Sequence, residues 1–377
     1  MKVIIGADLV PTISNYDLFN QADVNALIGE ELLNLFKEAD YRIFNLEAPL
    51  SDIKTPIKKF GPNLIAPIST INGIKALGVD FFTLANNHIL DQGEQGLEST
   101  MNVLRKNGIA FAGAGSNLSD ASKSYVVEID GKKIGIYCCA EHEFSIATLT
   151  SAGANPFNPL ESLDHIQDLK AQTDHVIVLY HGGKEHYRYP SPHLQKVCRK
   201  CIEKGADLVV CQHTHCIGCE EKYLNGTIVY GQGNFLFDYT ESEYWQTGLL
   251  ISLNSNFEIT YIPIVKKNNT VRLAEDSISN EILKQFKMRS EEILDDRVIK
   301  EKYSEFSRKM IVNYLLTFSG KRRSIILRAI KKLFGYRLIN KYFNRKYSKD
   351  DLLAIQNYVE CETHRELVVE GLKCLKN

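Results

Sequence analysis

No stretch of this 377-residue chain is apolar for long enough to cross a bilayer, and nothing after Met1 has the layout of a secretory leader. The expectation is a cytoplasmic protein. Internal repeats and low-complexity tracts are absent, which excludes solenoid and linker architectures. Gly113-Ala114-Gly115 does not open a helix, so no phosphate loop or dinucleotide fingerprint is available. No Ser-His-Asp arrangement can be argued either. The nine cysteines are an odd number without small-domain spacing and fit reduced thiols better than a disulfide framework. Cys198-x-x-Cys201 and Cys216-x-x-Cys219 come near a structural zinc spacing, but the first pair falls inside a helical run, so packing is the expected role. The formal net charge of -1 says little about partners. Its distribution says more, because 321–349 holds eleven Lys/Arg and no acidic residue.

What is present is alternation. Apolar runs at 2–7, 41–46, 80–84, 134–140, 175–181, 207–211, 227–231, 248–253 and 258–265 read as strands. Amphipathic stretches at 23–38, 69–77, 94–107, 160–172 and 191–204 separate them and imply crossovers in a largely parallel sheet. Two hairpins, 125–129 with 134–140 and 248–253 with 258–265, make the sheets mixed. Beyond about residue 275 only helical periodicity remains, at 280–297, 299–318, 323–343 and 349–373. The expected division is a catalytic domain over 1–275 and a helical C-terminal appendage over 276–377.

Five strand ends carry metal-binding side chains. Asp8 follows the first apolar run, Glu47 the second, and Asn86-Asn87-His88 with Asp91 the third; His181 ends another, and His213-Thr214-His215 follows the next. Strand ends on one sheet edge converge, and carboxylate, amide oxygen and imidazole suit Mn, Fe, Zn or Mg. One such residue is ordinarily a helix cap or a loop hydrogen bond; six at successive strand ends point to one or two divalent ions. Two ions a few ångströms apart can activate water and hold the oxygens of a phosphoester.

The ordered set Gly6-Ala7-Asp8, Asn45-Leu46-Glu47, Leu84-Ala85-Asn86-Asn87-His88 with Asp91 and Gly93, Gly113-Ala114-Gly115, His181-Gly182-Gly183 with Glu185, Gly205-Ala206-Asp207, His213-Thr214-His215 and Tyr230-Gly231-Gln232-Gly233-Asn234-Phe235 resembles the CapA-type capsule biosynthesis proteins, within the calcineurin-like metallophosphoesterase superfamily. The likeness covers roughly residues 1–265. It implies an α/β fold, a four-layer α/β/β/α sandwich with a binuclear centre at the sheet edge. It also implies roles. Asp8 and His215 would bind one ion, Asn87, His181 and His213 the other, and Glu47 would bridge. His88, held by Asp91, would protonate the leaving oxygen, and Glu185 and Asn234 would support the site or touch substrate. Superfamily phosphoesterases carry a His two residues after the first Asp; here it is Val10, so the first ion would have fewer protein ligands. Cys211-Gln212 and Thr214 replace the usual Gly-His and Pro around the two histidines.

Asn86, Lys184 and Arg188 are further candidates for contacting substrate, since positive charge beside metals favours phosphate or carboxylate. The expected function is a metal-dependent hydrolase, a phosphoesterase in the biosynthesis of capsule or another cell-surface polymer. The rival is a non-hydrolytic factor in making or exporting an anionic polymer such as poly-γ-glutamate. Either way the partner is an anionic small molecule or polymer, and no nucleic acid. Segment 321–349 has apolar residues at helical spacing; it either packs on the protein or lies on the inner face of an anionic membrane.

Overall fold

Strand β1 (Lys2–Leu9) forms where Val3-Ile4-Ile5 can be buried on both faces, since alternate side chains of a strand point opposite ways. The computed structural model describes residues 1–238, 240–320, 324, 333, 338, 342–343 and 345–374. In the first sheet β1 runs parallel to β2 (Tyr41–Leu46), β2 to β3 (Phe81–Thr83) and β3 to β4 (Ala110–Ala112). On the other side of β1 the sheet continues antiparallel through β13 (Thr247–Asn254), β14 (Ile259–Lys267) and β15 (Thr270–Leu273). The second sheet has the order β11 (Glu220–Tyr223), β12 (Gly226–Tyr230), β10 (Leu208–Gln212), β9 (His175–His181), β7 (Lys132–Ala140) and β6 (Tyr125–Ile129). Its interior pairs are parallel and its two outer pairs antiparallel. Two short strands, β5 (Ala114–Gly115) and β8 (Gly153–Ala154), pair separately.

Three apolar cores separate four layers. Ile4, Phe44 and Phe82 pack against α1 (Tyr16–Asn20), α2 (Val24–Lys37), α3 (Ile71–Ala76) and α4 (Gly93–Lys106) through Phe19, Leu32, Phe36, Ile74, Leu97 and Leu104. Val3, Ile5, Ile43 and Phe81 meet Ile136, Cys138, Ile177, Leu179 and Val210 between the sheets. Tyr137, Val176, Val178 and Val209 pack against α6 (Ser162–Lys170) and α7 (Pro192–Glu203) through Ile166, Leu169, Leu194 and Ile202. A one-turn helix, α5 (Leu118–Ala121), precedes β6. The result is the α/β/β/α sandwich with mixed sheets expected from the resemblance. Each fully buried Phe, Ile or Leu contributes about 1.5–3 kcal/mol. Helix starts follow local chemistry: Asp23 accepts from Ala26 N, and Ser191 accepts from Leu194 N ahead of Pro192 at the first helical position.

The chain forms two compact units, Met1–Glu301 and Lys302–Asn377. The division lies beyond the expected 275/276 boundary because α8 (Asp276–Glu292) belongs to the first unit. Phe286 enters the core between the sheets, and Ser290 Oγ accepts from Glu220 N at 2.8 Å. Helix α9 (Asp296–Phe318) follows. In the second unit Val312, Leu315 and Phe343 form a small core with Tyr342, Tyr347 and Ile355. The segment read as one helix over 349–373 is two, α10 (Lys349–Glu360) and α11 (Glu362–Cys374), because Cys361 leaves the helical region at φ -71°, ψ 118°. The basic stretch 321–349 lies largely outside the described residues. Among the described residues no helix is long and apolar enough to cross a membrane.

Candidate metal centre

The parallel strands of both sheets deliver their polar ends to one place. In β1 the register with β2 shifts between Ile5 and Asp8, and this bulge sets Asp8 opposite Asn45. Gly6 is required inside it: a Cβ there would lie 2.0 Å from the Phe44 ring. Glu47 follows β2, Asn87 sits in the turn after β3, His181 ends β9, and His213 follows β10. Gln212 pairs with His181 across the second sheet, which aligns the two imidazole-bearing ends.

Nε2 of His181 lies 3.3 Å from Glu47 Oε1, 3.1 Å from Asn87 Oδ1 and 3.1 Å from His213 Nδ1. Nδ1 of His215 lies 3.5 Å from Asp8 Oδ2 and 2.8 Å from Asn234 Oδ1. Glu47, His213 and His215 offer ligand atoms that all fall within 4.8 Å of one another, so the Glu47 carboxylate stands where the two groups meet. All six expected ligands are thus drawn into one cluster. His213 and His215 do not share a direction through extended backbone. Both are left-handed, at φ 82° and 52°, a conformation that costs roughly 1–3 kcal/mol for a residue with a side chain and persists where surroundings enforce it.

The donor set fits divalent ions. Glu47 and Asp8 are fully buried, and both carboxylate oxygens of Glu47 and Oδ2 of Asp8 have no hydrogen-bond donor among the described residues. Buried anionic oxygens left this way are expensive. Neighbouring donor atoms 3.1–3.3 Å apart are at the spacing of adjacent ligands around one ion with bonds of about 2.1 Å. Burial alone would push Glu47 up, but His181, His215 and His88 outweigh it and hold the carboxylate below its ordinary range. Burial would lower His215; Glu47 and Asp8 instead bring it up to about 9. Burial and the charges of His181 and His215 push His213 well down, which leaves a neutral imidazole ready to ligate.

Beside the cluster, His88 Nδ1 meets Asp91 Oδ2 at 2.6 Å, and that oxygen also accepts from Leu64 N. Lys59 forms an ion pair with the other Asp91 oxygen and reaches Asn87 O at 3.3 Å and His88 Nδ1 at 3.2 Å. Nothing in the sequence pattern singles out Lys59. It lies in the irregular loop between β2 and α3, where no periodicity marks a residue, and a Lys before Phe-Gly-Pro reads as a solvated turn.

Other expected contacts separate. Asn86 is fully buried and engaged internally: its amide donates to Asn45 Oδ1 and Leu46 O, and its oxygen accepts from His88 N. This corrects the expectation that Asn86 touches substrate; it ties the turn that carries Asn87 to β2. Asn234 orients His215 from its buried position. Lys184 and Glu185 are exposed. Arg188 is half-buried, its guanidinium 4.9 Å from the Tyr244 ring centroid. Glu141, which follows the strand next to His181 on the same sheet edge, accepts from Gly183 N at 2.9 Å and secures the turn after His181. Cys198 packs 3.5 Å from the Cys211 sulfur inside the core behind the second sheet.

Residues 3–239 match the family model described as bacterial capsule synthesis protein PGA_cap. The chain is similar to the capsule biosynthesis protein CapA of Bacillus anthracis, at 30% identity over 211 residues that cover 54% of this chain and 51% of that protein. It is similar to the PGA biosynthesis protein CapA of Bacillus subtilis, at 29% identity over 246 residues, 61% of this chain and 63% of that one. The match therefore spans about half of the first relative and less than two thirds of the second. A solved structure described as a novel phosphatase from Mycoplasma pneumoniae superposes with a TM-score of 0.46 at 14% identity, over 71% of this chain and 94% of that one.

Proposed function

The chain belongs to the bacterial capsule synthesis protein PGA_cap family, and from that premise we propose that its centre is a divalent-metal hydrolase site acting on a phosphoester in the building of a capsule or other cell-surface polymer. The observation that carries the proposal is the Glu47 carboxylate, buried without a donor and facing imidazoles from the opposite sheet. Asp8 and His215 would hold one ion, Asn87, His181 and His213 the other, with Glu47 between. Ions bound there supply the positive charge that polarises a phosphoryl oxygen and acidifies water.

The chain's own residues do the rest. Asp91 accepts from His88 Nδ1, which fixes the ring and leaves Nε2 to carry a proton toward the departing oxygen. Lys59 pairs with Asp91 on its far oxygen and keeps that carboxylate from swinging into the metal cluster. Burial of the cluster keeps competing water away from the reacting group. Lys184 and Glu185 stand at the exposed rim, where an anionic substrate enters.

A second reading has support in the names of the relatives, capsule and PGA biosynthesis proteins: the ions would bind carboxylates of a polymer such as poly-γ-glutamate, and nothing would be cleaved. Reduced thiols favour a cytoplasmic setting for either, and the basic stretch 321–349 would hold the protein at the inner face of an anionic membrane. The test is elemental analysis of the purified chain with a broad panel of phosphoesters. Bound Mn, Fe or Zn with turnover supports the hydrolase; full metal occupancy without turnover on any phosphoester or peptide amide favours the binding role.

A further inference from the structure

Two guanidinium groups converge on one carbonyl oxygen just beyond the metal centre. Arg188 Nη1 donates to Ile217 O at 3.1 Å, and Arg289 Nη2 donates to the same oxygen at 3.4 Å. Arg289 also donates through Nε to Gly218 O at 2.7 Å. Among the described residues neither guanidinium has a carboxylate within ion-pair distance. Arg289 is only 7% exposed, so this is a buried cation beside a second cation, an arrangement that burial and mutual repulsion both disfavour. A role for Arg289 as a tether of α8 to the 217–218 loop accounts for its own two carbonyl bonds. It does not account for Arg188 being drawn to the same atom.

The two residues line a cavity of about 240 Å³ with Ile217, Glu243, Thr247, Glu281 and Gln285; the two glutamates are exposed, whereas Arg289 is buried. The cavity adjoins the metal cluster. Ile217 comes two residues after His215. Arg188 sits over Tyr244, Tyr244 stacks on His186 at 5.1 Å, and Trp245 packs 4.9 Å from the His215 ring. Guanidinium forks match the paired oxygens of carboxylate and phosphate, and a cavity this size accommodates one such group.

We infer that Arg188 and Arg289 form an anion subsite beside the metal centre, and that it takes a second carboxylate or phosphate group of a polyanionic substrate. That the two groups belong to one substrate rests on the hydrolase proposal; that an anion binds here does not. Arg289 lies on α8, outside the residues that match the family model, so the subsite would set which polyanion this particular chain accepts.

The test is calorimetric titration of the full-length chain with inorganic phosphate and, separately, glutarate, in wild type and in His213→Ala, which empties the metal centre. One equivalent of phosphate or of glutarate should bind His213→Ala and chelated, metal-free wild type with affinities within about twofold, and the anion that binds identifies the group the subsite takes. Arg188→Gln should weaken binding at least tenfold, with Arg188→Lys intermediate; the Lys variant keeps the charge and guards against a folding defect in the first. Wild-type affinity in Arg188→Gln overturns the inference, as does failure of both anions to bind His213→Ala. Because the readout is anion binding without metal, a protein that proves not to hydrolyse phosphoesters leaves this result standing.

Discussion

The two sheets bring unlike halves to the candidate metal site. The first supplies oxygens, from Asp8, Glu47 and Asn87, and none of these residues has a positive φ. The second supplies nitrogens, from His181, His213 and His215, and two of the three are held in left-handed backbone. The oxygen half is set by the sheet itself: Asp8 is aimed by a bulge and held by the Asn45 amide at 2.8 Å, and Glu47 follows directly on a buried strand. The nitrogen half is set by a turn that the rest of the structure must hold in place. Strain is concentrated where the chain has to return two imidazoles to one point within three residues. The same asymmetry holds electrostatically at Glu47, whose buried carboxylate is held below its ordinary range by the imidazoles that face it, whereas burial and the Glu47 charge push Asp8 up.

The largest expected effect tests whether the halves act on the same ions. His213→Ala and Glu47→Ala remove one donor from each, and each should weaken metal binding by at least about 100-fold, more than loss of an outer support would. Metal content of the purified variants measures this; full occupancy in either one breaks the picture of a shared centre. Next, His88→Ala should retain its metal and lose turnover by about 10²–10⁴-fold, the usual worth of a positioned proton donor. Lys59→Met acts through Asp91 and should lower kcat with little change in KM, and Lys59→Arg should restore most of it. Third, the backbone difference itself is measurable. At position 215 glycine should be about 1 kcal/mol more stable than alanine, because only glycine adopts positive φ freely, whereas at Asp8 alanine should win by about 0.5–1 kcal/mol. Denaturant melts of metal-free His215→Gly, His215→Ala, Asp8→Gly and Asp8→Ala give the two differences, and equal signs at both positions would refute the contrast.

The two halves were also unequally legible. Apolar runs ending in Asp8, Glu47 and His181 are visible because parallel strands buried on both faces leave continuous hydrophobic stretches, and the first polar residue after each marks a sheet edge. Left-handed backbone at His213 and His215 has no such signature, since histidine, though enriched there relative to most residues, adopts it only in a small minority of cases. Lys59 escaped because its partner Asp91 is distant in sequence and its loop has no period. Arg289 escaped for a different reason. Helical periodicity after residue 275 was read as an appendage, yet periodicity says which face is apolar and not what it packs against, and the Phe286 face of α8 closes the first unit. Short edge strands such as β11 and β15 were also missed, since four half-polar residues give too little pattern to read.

If the Glu47 carboxylate is tolerated because imidazoles face it, a buried charge on the same sheet with only a weak counter-charge should be a burden. Lys266 on β14 is such a case. Its ammonium donates to Phe237 O at 3.4 Å, and burial brings its pKa down to about 7 against the opposing pull of Asp238. The unfolded lysine keeps its proton to about 10.4, so between about pH 7 and 10 the unfolded state binds more protons than the folded one. Stability attributable to this residue must therefore rise as pH climbs through that window and be flat below it. Lys266→Met removes the titration. The variant should melt a few degrees higher than wild type at pH 7, and the gap should shrink steadily toward pH 10. Parallel melting curves across that range would mean that Lys266 finds a partner as good as those of Glu47, and the distinction between well-matched and weakly matched charge on the first sheet would fail.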